Sequence, residues 1–107
     1  MAWTYLLIAG LFEIGFASTL KLTEGFTKLW PTLIFAAFVV SSGIFLAKSL
    51  KDIPIGTAYA VWTGIGATGT AIVGIVVYKE PATAMRLFFI AMLIAAIVGL
   101  KFTSTNT

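Results

Sequence analysis

The sequence predicts an all-α membrane protein, with four transmembrane helices in one domain over residues 1–107 and a second copy paired with it in the opposite orientation. Three observations lead there. Hydrophobic residues make up 60% of the 107 and charged residues 10%, with a mean hydropathy of +1.06. A soluble domain of this size has too little interior to hide so much apolar surface. The apolar residues fall into stretches close to the ~20 residues that a helix needs to cross ~30 Å of hydrocarbon. The basic residues lie between or at the ends of those stretches, as headgroup anchors do, and are split almost evenly between the two sides.

The first span runs over about residues 2–20 and stops at Lys21. A polar connector follows, holding Lys21, Glu24, Gly25 and Lys28. Pro31 suits the first turn of a second helix, where its missing N–H costs nothing, and this span covers about 31–48. Lys51 and Asp52 make a short turn, and Pro54 opens a third, charge-free, glycine-rich span over about 54–78. Lys79, Glu80 and Pro81 end it. In the fourth span only Leu87 to Leu100 separate Arg86 from Lys101, but long basic side chains snorkel from helix ends, so a helix over about 83–103 crosses. The final STNT reads as a polar tail.

Short connectors make consecutive helices antiparallel neighbours. Four spans put both termini on one side, with Lys48, Lys51 and Lys101; the other side holds Lys21, Lys28, Lys79 and Arg86. Lys/Arg bias sets orientation, and three against four is almost no bias. The chain is therefore expected to insert both ways round, so that copies of opposite orientation can pair. The net charge of +3 forms no nucleic-acid patch, and the absence of cysteine and histidine removes disulfides, thiol chemistry and the usual zinc sites. No nucleophile–base pair or metal cluster marks an enzyme. The N-terminus lacks the basic region of a cleavable signal peptide.

The functional signal is Glu13, the one charge within WTYLLIAGLFEIGFASTL. An ionisable residue at membrane depth is costly and usually marks an ion or substrate pathway. On a helix it shares a face with Ala9, Gly10 and Ala17, which leave room around it, while Phe16 stands one turn on as an aromatic wall. The alternative is a structural acid paired with a base, yet no span carries a cation at that depth. The carboxylate is thus left for a proton or an incoming cation to neutralise.

The third span adds Tyr59 and Trp62 at i, i+3. Aromatic faces bind cations, most strongly when desolvated. Trp62 lies eight residues past Pro54, ~12 Å along the axis and too deep for an interfacial belt, whereas periodicity leaves Tyr59 open between belt and site. Ser42 in the second span is either a hydroxyl satisfied by its own backbone or, if it faces Glu13, a site group. Gly64, Gly66 and Gly69 allow a conformational hinge; the alternative is close helix contact. Ala91, Ala95 and Gly99 form a small-residue stripe that reads as a dimer interface.

AGLFEIGFASTLK, EGFTKLWP and PIGTAYAVWTGIGA together resemble the small multidrug resistance family of bacterial membrane transporters, over nearly the whole chain. The resemblance implies an antiparallel, dual-topology homodimer in the inner membrane that exports cations in exchange for protons. It implies that Glu13 of both subunits forms the shared site, lined by Tyr59 and Trp62, with no metal or organic cofactor. IPIGTAYAVWTGIGA, the KEP at Lys79 to Pro81 and the GLK at Gly99 to Lys101 look most like the guanidinium-exporting branch, and Ser42 matches the serine which that branch places beside the acid. Phe16 stands where the branch has tryptophan; a phenyl ring donates no hydrogen bond to the carboxylate, which relaxes the choice of cation. The rival readings are a broad exporter of quaternary ammonium compounds, one half of a heterodimeric pair, and a non-transporting membrane assembly subunit.

Overall fold

The computed structural model describes residues 1–103, and the STNT tail lies outside them. Four long apolar helices account for most of the described chain: α1 (Ala2–Leu20), α2 (Leu29–Ser49), α3 (Ile55–Val76) and α4 (Ala84–Thr103). At ~1.5 Å per residue each is about as long as the hydrocarbon core is thick. Many of their large side chains face outward, among them Leu11, Ile44, Met85, Phe88 and Phe89. Such a surface is stable against lipid or another protein, not against water.

The connections explain where the helices stop. After Leu20 the chain tightens into a 3₁₀ turn, Lys21–Thr23, then takes left-handed backbone at Glu24, Gly25 and Phe26. Gly25 adopts this freely, whereas Glu24 and Phe26 each cost about 1 kcal/mol. Thr23 holds the turn. Its hydroxyl donates to the Leu20 carbonyl (2.7 Å) and accepts the Phe26 N–H (3.2 Å), while its carbonyl accepts from Thr27 and Lys28. At the start of α4, Thr83 Oγ1 accepts the Arg86 N–H at 3.1 Å, a helix cap that satisfies one otherwise orphaned donor.

Helix α1 is central, packed against both α2 and α3, while α4 lies against α3. The two α1 interfaces differ in chemistry. Towards α2 they are aromatic: Phe12 meets Phe38 and Phe45, Tyr5 meets Phe45, and Phe16 meets Phe35, with ring centroids 5.8–6.0 Å apart. Towards α3 they depend on missing side chains. Gly10 of α1 receives Ile65, while Gly66 and Gly69 of α3 receive Glu13 and Ile14. Close packing through small residues is how helices associate where lipid removes the hydrophobic drive.

Basic residues at the helix ends lie over aromatic rings: Lys21 over Tyr78 (4.7 Å), Lys101 over Trp3 (5.1 Å) and Lys48 over Tyr5 (5.6 Å). These pairs also fix the directions. α1 and α3 run parallel, with Lys21 and Tyr78 at one end, while α2 and α4 return to the end that holds the N-terminus.

Candidate functional site

Glu13 leaves α1 on the face turned to α3, and its carboxyl group fills the space where a side chain at Gly66 would stand. The Oε1 atom is shut off from solvent and meets no hydrogen-bond donor among the described residues. A buried acceptor without a donor is costly, and a charged one more so. Oε1 of Glu13 is thus an acceptor in a confined space that a proton or an external donor can satisfy.

One helical turn towards the terminal side, a hydrogen-bonded chain ties three helices together. Trp62 Nε1 of α3 donates to Ser42 Oγ of α2 at 2.8 Å, and Ser42 Oγ donates to the Ala9 carbonyl of α1 at 2.8 Å. Ser42 is fully buried. Ala9 precedes Glu13 by four residues and Trp62 precedes Gly66 by four, so this link lies ~6 Å below the Glu13–Gly66 contact. The Ser42 hydroxyl proton is committed to Ala9. In this conformation Ser42 therefore links α1, α2 and α3 one turn from the acid.

The other residues singled out in the sequence are distributed as follows. The Tyr59 ring lies 5.6 Å from that of Trp62, tilted by 51°, and 58% of Tyr59 is exposed, so it faces away from this subunit's core. Phe16 directs its ring edge-on to Phe35 of α2. Gly10 packs against Ile65 of α3. Gly64, Gly66 and Gly69 lie in an unbroken helix, each facing a side chain: Ile97 of α4, Glu13 and Ile14 respectively. In this conformation they act as sockets for packing. Ala91, Ala95 and Gly99 lie on an exposed face of α4, and space beyond Gly99 is open.

Three features escape sequence reading. Gly66 is the counterpart of Glu13. Tyr78 Oη donates to the Ser18 carbonyl at 2.9 Å, locking the far end of α3 to α1. Glu80 folds back over Gly74 and accepts a 2.7 Å hydrogen bond from Arg86 Nη2. The signal for the first was the spacing of Gly66 and Gly69, which puts both on one face of α3. The other two come from the turn after α3, for which no local pattern exists.

Comparison with known proteins agrees along the whole chain. The family model described as Small Multidrug Resistance protein matches residues 1–93. The guanidinium exporter of Proteus vulgaris is 51% identical over 97% of this chain and 100% of its own length. That of Escherichia coli K12 is 48% identical over 97% and 99%, and that of Yersinia pseudotuberculosis 48% over 97% and 100%. Its four long apolar helices are thus those of a multi-pass bacterial membrane transporter, not an enzyme, and the chain belongs to the small multidrug resistance family.

Proposed function

We propose that this protein exports guanidinium, or a small substituted guanidinium, in exchange for protons, with Glu13 binding the proton or the cation in competition. The observation that carries the reading is the buried Oε1 of Glu13, an acceptor to which no described residue donates. Guanidinium is planar and rich in N–H donors, and a carboxylate accepts them side by side. The guanidinium exporters that match the chain end to end support the same choice of cation. Because one carboxylate serves both ligands, loading one releases the other, and that exclusion is the coupling.

Transport in this reading needs two subunits. The described chain has only four long helices, of which α1 packs against α2 and α3 and α4 against α3. Four helices of one 107-residue subunit are too few to enclose a pathway alone. Tyr59 faces outward, and so does the Ala91, Ala95 and Gly99 stripe, as they would if a second copy completed the site and packed on α4. The even charge count favours an antiparallel copy. The two Glu13 carboxylates then titrate as a coupled pair.

A second reading, export of quaternary ammonium ions, is favoured by the aromatic character of Phe16, Tyr59 and Trp62, since such ions have no donors and bind to ring faces. Transport in proteoliposomes separates the two. Guanidinium is expected to drive a proton current larger than that of a tetraalkylammonium ion. Vesicles that carry the tetraalkylammonium ion and show no guanidinium-driven current establish the second reading instead.

A further inference from the structure

We propose that the Glu80 carboxylate is an outer binding site for the guanidinium group, that Arg86 is its resident occupant, and that the groove beneath it leads to Glu13. The inference rests on the guanidinium reading above. Between α1 and α3, on the side of the α3–α4 connection, lies a groove of about 390 Å³. Its inner end is formed by Ala17 and Ala67. These lie one turn past Glu13 and one residue past Gly66. Its walls include Ser18 and Thr70, whose buried hydroxyl oxygens have no hydrogen-bond partner among the described residues. A groove that begins one turn from the Glu13–Gly66 contact and opens at the connecting turn, with unpaired polar atoms along it, fits a polar occupant.

The outer end is built with care for Glu80. Lys79 takes left-handed backbone (φ 60°), which a residue other than glycine adopts at a cost. That turn brings the Glu80 N–H to the Gly74 carbonyl at 3.0 Å and folds the carboxylate into the space above Gly74, where a side chain would block it. Arg86 Nη2 donates to Glu80 Oε1 at 2.7 Å. The group resting on Glu80 is therefore itself a guanidinium, the head group of the proposed substrate. The other cation lining the groove, Lys21, is engaged over the Tyr78 ring. The Glu80 and Arg86 side chains are 43% and 37% exposed, and an exposed ion pair is weak. Free guanidinium can displace the tethered one at little cost, pair with the same acid, and so leave bulk water in two stages instead of one.

Guanidinium-driven proton uptake in proteoliposomes tests this with Glu80→Gln and Arg86→Gln side by side. Each removes one partner of the same ion pair. If the pair is only a structural tie, both variants behave alike. If Glu80 is the outer site and Arg86 competes for it, the variants diverge. Glu80→Gln is expected to raise KM for guanidinium about fivefold or more, and Arg86→Gln to lower it, while equilibrium proton release on guanidinium binding stays within about twofold of wild type in both. KM values that move in the same direction, or that do not move, overturn the inference. Should Glu80→Gln not fold, Arg86→Gln decides alone, because an unchanged or raised KM refutes the competition. Absence of guanidinium transport by the wild type would instead refute the function proposed above.

Discussion

Glu13 of α1 and Gly66 of α3 occupy one space: the carboxyl group of the acid lies where the first carbon of a side chain at residue 66 would be. The acid therefore depends on a hydrogen atom of the neighbouring helix. Gly66→Ala raises helix propensity by about 1 kcal/mol, so the folded state is not expected to weaken through the backbone. The added methyl group must still expel the carboxyl group. Guanidinium affinity is expected to fall tenfold or more, measured by proton release from purified protein. Gly56→Ala, where the space is open, is the control and is expected to bind as wild type does. A Gly66→Ala protein with wild-type affinity would show that the contact is incidental.

The number and type of helices can be read from the sequence because apolar run length and helix rise are local properties. Glu13 stands out for the same reason: a charge surrounded by apolar neighbours is visible without knowing the fold. What faces Glu13 is a different kind of fact. Spacing within α1 says which residues share its face, but not which face of α3 comes opposite. Gly64, Gly66 and Gly69 read as a hinge because glycine weakens a helix, whereas in the fold each accepts a side chain from α1 or α4. Ser42 shows the same limit. Its place in the second span puts it near the acid, yet only the packing of three helices shows its hydroxyl committed to Ala9 and its oxygen to Trp62.

The competition proposed for Glu13 carries an expected pH dependence. A cation needs the carboxylate, and a proton removes that charge. Lowering the pH is therefore expected to weaken cation binding, and raising it to strengthen binding until Glu13 is deprotonated. Where one proton leaves for each cation bound, apparent affinity changes about tenfold per pH unit. Titrating guanidinium at several pH values in weakly buffered solution reads both affinity and proton release. Glu13→Gln is expected to abolish both. Release that survives in Glu13→Gln would move the exchange site elsewhere.

Ser42→Ala leaves Trp62 Nε1 without its acceptor and removes the link to Ala9. A buried donor left unpaired costs ~1–3 kcal/mol. Because the Ser42 hydroxyl is bonded to Ala9 and Trp62, the variant is expected to lose thermal stability and to weaken guanidinium and alkylammonium binding by similar factors. Trp62→Phe leaves the hydroxyl bonded to Ala9 and removes a single hydrogen bond, so its stability loss is smaller, ~1 kcal/mol before the change in packing. A loss in Ser42→Ala confined to guanidinium would instead assign the hydroxyl to the cation itself.

Lys48, Lys51 and Lys101 on the terminal side face Lys21, Lys28, Lys79 and Arg86 on the other, a difference of one charge. Since Lys/Arg bias sets topology, a C-terminal tag is expected to be reachable from both sides of the membrane. Adding two lysines to the Lys51–Asp52 turn biases that side to the cytoplasm, and adding two near Lys79 biases the other. Each variant alone is expected to lose most guanidinium export, because copies of a single orientation cannot form an antiparallel pair. Co-expression of the two is expected to restore it. A wild-type chain found in one orientation only, or a trapped variant that exports at full rate by itself, would exclude the antiparallel homodimer and leave a parallel pair or a second, homologous chain as the partner.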